Sequence, residues 1–417
     1  MSQLLRHARQ RVDKVLKLIQ VLKSHEFPHE DSRKTLAFVE GQFGELQDTL
    51  QHLNDSLNDP HTIRANCRSA LEAVFAYLPV LGFVARSTDV VGALELHRPL
   101  HRIVTAVVGP DAHLLLTSDW QYSPYTYVHY QLIEKGFVLV GLPASEAGNG
   151  LIMPLAGHEI GHNMWYANNL DQHFAPLVSD SLVAEILNNR FNEFQEHFDP
   201  LEKSQVNDLA GRPYWEPAFA WAMAQCQEMF CDFVGLVLFR EAYLYAFQYL
   251  LSPGGGARDA SYPSMPSRAR HLIAAAKERG FQIAEKYPDS FDEEQSEAKG
   301  KDEFLLALAD KARESVIPKL LAKADEKLAS YEPGAHSEEE KKRVKAAFTR
   351  ATPVAGGVRL VNLVNATWEI EISEIQIWNN DYPALAERPE ERSRVLNELF
   401  LKSLEVLEIE KLQEEQP

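Results

Sequence analysis

His158-Glu159-Ile160-Gly161-His162 is the stretch on which the fold assignment turns. It reads HExxH. Residues four apart on a helix share one face, so the two imidazoles can grip one zinc ion from the same side. Glu159 then stands beside the metal, where it can take a proton from a zinc-activated water. The pattern points to a zinc-dependent hydrolase, and to a peptidase before any other kind. Pro154 suits the opening of the helix, because proline is favoured in the first helical turn. Leu155, Ile160 and Met164 are apolar and predict a largely buried helix reaching Tyr166. Gly161 costs a helix ~1 kcal/mol relative to alanine, so its place between the histidines suggests that another backbone comes close.

A catalytic zinc takes three protein ligands and keeps one position open. The best candidate for the third ligand is Glu228, in Gln225-Cys226-Gln227-Glu228-Met229-Phe230-Cys231-Asp232-Phe233-Val234-Gly235. Glu228 and Asp232 are again four apart, inside an apolar run where unpartnered carboxylates are costly. A metal and a metal-bound histidine would partner both of them. Glu228 would be the ligand, and Asp232 would accept the N–H of a ligand histidine, as outer carboxylates commonly do. Cys231 is a lesser alternative ligand. The spacing of Cys226 and Cys231 matches no common zinc pattern, and both read as small core residues.

His158, Glu159, His162, Glu228 and Asp232 together resemble the gluzincins, the thermolysin-like zinc peptidases with HExxH followed by ExxxD on a later helix. The resemblance implies that Asp232 holds His158. The gap of 66 residues (228 − 162) between His162 and Glu228 is longer than in thermolysin. A third segment, Tyr262-Pro263-Ser264-Met265-Pro266-Ser267-Arg268, resembles the HPxxxxR segment of the CAAX-type prenyl-protein peptidases and their soluble relatives. Tyr262 stands where that family has histidine. The resemblance implies a hydrogen-bond donor there, so Tyr262 is the expected oxyanion stabiliser, with His271 as the substitute. A plain loop before a helix starting near Pro266 explains the same residues without chemistry.

With 417 residues the chain has room for two or three domains, and its 45% hydrophobic content is that of an ordinary globular protein. A formal net charge of −18 speaks against a nucleic-acid partner. The three cysteines, Cys67, Cys226 and Cys231, make no disulfide framework and suit a reducing compartment. The segment Met1–His7 opens an amphipathic helix and lacks the features of a secretion signal. Glu72 and Pro79 interrupt the apolar run Leu71–Ala85. Asp232, Arg240 and Glu241 interrupt the run Met229–Leu251. No membrane span is therefore expected, and the expected location is cytoplasmic. Oligomeric state and cleavage specificity are not legible.

The chain divides, on this reading, into a helical region 1–90, a zincin-like core 91–285, a charged linker or loop 286–302 and a mostly helical region 303–417. Val12, Val15, Leu16, Ile19 and Leu22, then Leu36, Val39, Phe43, Leu46 and Leu50, recur at helical spacing. Three strands are predicted, at 101–108, 113–117 and 137–142, with a turn at Gly109-Pro110-Asp111. An edge strand of that sheet would pair with an extended peptide substrate, and the loop 144–150 would lie over the cleft. Trp215, Phe219 and Trp221 read as core. The segment 358–377 is ambiguous between strand and helix, and a last helix is expected near 390–413. Gly254–Gly256 lacks the lysine of a phosphate-binding loop and reads as a connector. Asn365-Ala366-Thr367 matches a glycosylation acceptor, which a cytoplasmic protein would not use.

The expected fold class is α+β, predominantly helical: a small sheet, the HExxH helix and the glutamate helix form a zincin-like catalytic core with helical N- and C-terminal additions. The expected function is a zinc metallopeptidase acting on a peptide or protein substrate. Two alternatives are a helical regulatory or interaction protein with a structural or inactive zinc site, and a zinc hydrolase of a non-peptide amide or ester. An intact Glu159 and no evident fourth ligand favour the enzyme.

Overall fold

Helices dominate the computed structural model of the chain, and three strands form one mixed sheet. The structure describes residues 3–54, 57–87, 93–119, 124–128, 130–198, 202–254, 258–283, 287–292, 296–329, 331, 336–374, 378, 382, 385 and 387–414. Contacts divide the chain into two units, 1–105 with 110–148 and 106–109 with 149–417. These divisions fall elsewhere than the boundaries expected at 90, 285 and 302, for reasons that packing supplies.

In the first unit, α1 (Gln3–Lys23), α2 (Glu30–His52) and α3 (Pro60–Arg86) bury the stripes foreseen from spacing. Val12, Val15, Ile19 and Leu22 meet Leu36, Val39, Phe43 and Leu50 in one core. Asp59 starts α3 by accepting the Thr62 N–H (3.0 Å) just ahead of Pro60. The run expected as a strand at 101–108 is instead the end of a helix, α4 (Ala93–Val107). Leu96, Leu100, Ile103 and Val104 are its buried stripe, and their spacing is helical.

The other two expected strands are present as β1 (His113–Asp119) and, after β2 (Tyr125–Thr126) and α5 (Tyr130–Glu134), as β3 (Phe137–Pro143). β1 runs parallel to β3 with His113 opposite Phe137, and β2 runs antiparallel on the other side. The middle strand is buried at every residue, as expected for a strand covered on both faces. Gly141 is required there, since the Tyr125 ring fills the space a Cβ would take. β1 packs on α2 and α3, and Leu115, Phe137 and Leu139 join the helical core. That shared core puts the sheet in the first unit. The outer edge of β1 is closed at Leu114, whose N–H donates to Asp31 Oδ2 (3.1 Å) and whose carbonyl accepts His97 Nε2–H (3.0 Å).

In the second unit, a 3₁₀ turn at Gly150–Leu155 leads into α6 (Ala156–Ala167). Then come α7 (Leu170–Asn189), α8 (Phe191–His197), α9 (Arg212–Phe239), α10 (Glu241–Leu251) and α11 (Met265–Glu278). α12 (Lys301–Leu328), α13 (Glu338–Thr349), α14 (Leu360–Glu369) and α15 (Pro389–Glu414) follow. α9 is the axis, with α6, α7 and α12 laid against it. The helices beyond residue 302 are therefore part of the unit's core and no appendage. α14 and α15 hold the turn that feeds α6: Trp368 Nε1–H donates to the Leu151 carbonyl (3.1 Å), and Asn397 Oδ1 accepts the Gly150 N–H (2.8 Å).

The charged segment expected as a linker or loop at 286–302 is held at two described residues: Tyr287 is buried and donates to the Leu244 carbonyl (2.8 Å), and Asp292 N–H donates to the Pro253 carbonyl (2.7 Å). Asn365 is 2% exposed. It bridges the break between α9 and α10, donating to the Phe239 carbonyl (2.9 Å) and accepting from Ala242 N–H (2.8 Å). Its amide is therefore spoken for. The ambiguous segment 358–377 resolves into α14 and a π turn at Ile370–Glu374, with 375–377 outside the described residues. Gly255 and Gly256 also lie outside them. Trp215 is core, with its indole on the Val206 carbonyl (2.8 Å), whereas Phe219 and Trp221 are half-buried. Among the described residues two helices, α3 and α9, are long and apolar enough to cross a membrane; 78% of the most apolar window of α9 is buried, against 39% for α3.

α6 and α9 touch without side-chain padding. A Cβ at Gly161 would stand 2.7 Å from Cys231 Cα, and one at Gly157 would stand 2.9 Å from Gly235 Cα. The two glycines of α6 are four apart and face a second pair four apart on α9. Gly161→Ala should therefore lose about 1–3 kcal/mol of stability through overpacking, against a helix-propensity gain of ~1 kcal/mol. Denaturant unfolding of the two proteins measures the difference, and an alanine variant more stable than the parent contradicts the contact.

Candidate metal centre

The seam between α6 and α9 decides where the polar side chains meet. His158 and His162 each follow one of the α6 glycines, and Glu228 and Asp232 lie beside Cys231 on α9. His158 Nε2 is 3.3 Å from Glu228 Oε2, and His162 Nε2 is 3.6 Å from Glu228 Oε1. Donors about 2.0–2.1 Å from a tetrahedral ion stand about 3.3 Å from one another, so each of these two separations, measured to a different oxygen of Glu228, is close to that of a pair of metal ligands.

The other ring nitrogens are held from behind. His158 Nδ1 lies 2.9 Å from Asp232 Oδ1, and His162 Nδ1 lies 3.1 Å from Gln227 Nε2, which as placed donates to it. For His162 to offer Nε2 to a metal, the Gln227 amide must turn over so that its oxygen accepts Nδ1–H. Asp232 is fully buried and has three partners. His158 is one, the Tyr243 hydroxyl donates to Oδ1 (2.7 Å), and Arg268 donates Nε–H to Oδ2 (2.8 Å) and Nη2–H to Oδ1 (2.7 Å).

Electrostatics follow from this burial. Burial alone would drive the His158 pKa down, but Asp232 and Glu228 outweigh it and raise it to about 10. His162 is lowered to about 4 by burial and by its neighbour His158. Burial raises Glu159 to about 7, with His158 opposing. Asp232 is held well below the usual carboxylate range, because Arg268 and His158 overcome the cost of burial. Glu228 is also lowered; burial opposes, and the His158 hydrogen bond and the nearby positive charges prevail. Three buried carboxylates thus face two cations, Arg268, which is 3.9 Å from Glu228, and the protonated His158. A divalent cation between the histidines and Glu228 would take the place of the His158 proton.

Cys231 forms a competing donor set. Its Sγ and one nitrogen of each histidine lie within 4.8 Å of one another. The thiol is fully buried and its pKa is raised, by burial first and then by Glu228 and Glu159; a bound metal would deprotonate it.

The remaining expected residues separate. Tyr262 is 46% exposed, and its phenol pKa is raised by the charge of Glu228, by burial and by Glu159, which places the ring within the field of both carboxylates. Its loop is fastened at both sides: Gln225 donates to the Ala260 carbonyl (2.9 Å), and Arg258 pairs with Asp310 of α12. His271 is elsewhere. It lines a cavity of about 550 Å³ with Phe233, Glu278, Arg279 and Pro318. Burial, then Arg313 and Arg270, lowers its pKa to about 4. The structure does not bring it to the ligand set, because α11 turns Arg268 toward α9 and His271 toward α12.

Tyr243, Gln227 and the pairing of Arg268 with Asp232 escaped sequence reasoning. The chain was compared with protein-family models, curated proteins and solved structures, and none of them matches it.

Proposed function

We propose that the chain is a zinc-dependent metallopeptidase of the gluzincin type, with the HExxH helix and the glutamate helix of such an enzyme in its second unit. The observation that carries this reading is one carboxylate, Glu228, placed 3.3 and 3.6 Å from the two Nε2 atoms of the HExxH pair. His158, His162 and Glu228 would hold the ion, and Asp232 orients His158. Zinc, when bound, supplies a Lewis acid that polarises a carbonyl and makes water a better nucleophile near neutral pH.

The chain's own residues do the rest. Glu159 accepts the proton of the attacking water and passes it to the leaving amine. Tyr262 donates its hydroxyl hydrogen bond to the developing oxyanion. Arg268 and Tyr243 keep Asp232 ionised and in place. The proposal includes a peptide or protein substrate and a cytoplasmic location.

The deciding experiment is the metal content of purified protein by plasma mass spectrometry, in Glu228→Ala and Cys231→Ala beside the parent. About one zinc per chain, lost in the first variant and kept in the second, supports the ligand set. The opposite pattern assigns the metal to cysteine. Zinc held normally without hydrolysis of any peptide in a library favours an inactive or structural site. Tyr262→Phe is expected to keep zinc and to lower kcat by about 10²–10³-fold, the usual cost of one oxyanion donor. An unchanged kcat removes Tyr262 from the mechanism.

A further inference from the structure

The first unit carries an exposed face that is basic and apolar at once, on α1. That helix has six lysines and arginines and a single acidic residue, Asp13, in a chain whose net charge is −18. Most of the excess acidic residues fall beyond residue 148, so the unit that carries α1 is close to neutral. The inward stripe of α1 is spent on the core. On the outward side Arg11, Lys14, Lys17, Leu18 and Val21 fall within about 120° of one another, at 3.6 residues per turn. Leu18 is 40% and Val21 56% exposed.

The three cations of this face are exposed, and among the described residues none of them makes an ion pair. The other charges of the helix are differently placed. Lys23 pairs with Glu40 (2.7 Å), Arg9 donates to the carbonyls of Leu50 and Leu53 (2.7 and 2.9 Å), and Asp13 accepts from Gln47 Nε2 (2.8 Å). Unpaired cations on one face call for a negative surface. A nucleic acid offers phosphates but nothing for Leu18 and Val21. An acidic protein would have to present a groove shaped to a convex helix, whereas a layer of lipid headgroups deforms around one. An anionic bilayer meets both halves of the face. Its headgroups attract the cations, the lysine stems run along apolar surface, and the acyl boundary takes the two aliphatic side chains. Docking leaves the buried stripe in the core, so the bundle need not open.

We propose that the outward face of α1 docks the protein on an anionic lipid surface, as a peripheral protein with no membrane span. The proposal does not depend on the metal centre of the second unit.

The test sediments the full chain with vesicles of phosphatidylcholine and with vesicles of equal parts phosphatidylcholine and phosphatidylserine. Three cations worth about a factor of five each predict binding about 10²-fold tighter to the second kind. Molar salt, where the screening length falls to about 3 Å, should release the protein. Lys14→Glu with Lys17→Glu should lose the preference, and Leu18→Ser with Val21→Ser should weaken binding by about 10-fold or more. Lys311→Glu with Lys319→Glu, the same change of charge on α12, should leave binding unaltered. All six positions are exposed, so circular dichroism should show every variant folded. No preference for the anionic vesicles overturns the proposal. So does an equal loss in the α12 variant, which makes net charge alone responsible, and so does full binding without Leu18 and Val21, which leaves a purely electrostatic contact.

Discussion

Glu159→Gln is expected to lower peptide hydrolysis by about 10²–10⁴-fold and to leave the zinc content unchanged. Glutamine keeps the size and shape of the side chain, so the buried position on α6 is still filled. It cannot accept the water's proton. Glu159 is not among the donors that face Glu228 Oε1 and Oε2 across the seam, so metal affinity should not depend on it. The measurement is kcat on a mixed peptide substrate together with zinc per chain. Turnover within about threefold of the parent, far short of a general base's usual share, removes Glu159 as the base.

Arg268→Leu should destabilise the protein by about 3–5 kcal/mol, because it leaves a buried carboxylate with no cation. Asp232 is fully buried and takes two hydrogen bonds from Arg268. His158 and Tyr243 stay, but the hydroxyl is neutral, and a histidine engaged with metal brings no charge of its own. Zinc affinity should also fall, by about 10–100-fold, as for other partners of metal-bound histidines. Adding Asp232→Asn to Arg268→Leu should recover part of the lost stability, since the uncompensated charge is then gone. Urea unfolding of the three proteins measures this. A loss below about 1 kcal/mol, the range of exposed ion pairs, would show that Asp232 has another source of compensation.

The four-residue spacings were the most legible part of the chain, because helix geometry and ligand geometry demand the same interval. His158 and His162, then Glu228 and Asp232, announce their faces without a fold. Arg268 stood inside a quoted segment, yet its partner lies 36 residues away, and only tertiary structure joins them. A signal did exist: two carboxylates inside an apolar run need a buried cation as well as a metal. Tyr243 gave no signal, since a tyrosine in an apolar helix reads as packing. The false strand at 101–108 arose because eight residues are too few to reveal a 3.6-residue period; Leu96 and Leu100 complete it. The sheet's membership of the first unit was invisible, because strand packing against α2 and α3 is a long-range choice. His271, the expected substitute for Tyr262, lies three residues from Arg268 on the same helix but lines a different cavity.

The paired glycines of α6 have a consequence for how the site opens. Backbone lies against backbone at Gly157 and at Gly161, so the backbone positions that carry the two histidines cannot draw away from Glu228 while the two helices stay together. Release of an ion there would require the same cooperative opening that exposes the amides of α6 and α9. Hydrogen exchange at those amides and the off-rate of bound metal would then report one event. Metal residence would be set by how rarely that cooperative unit opens, and its lifetime would lengthen with every change that makes the opening rarer.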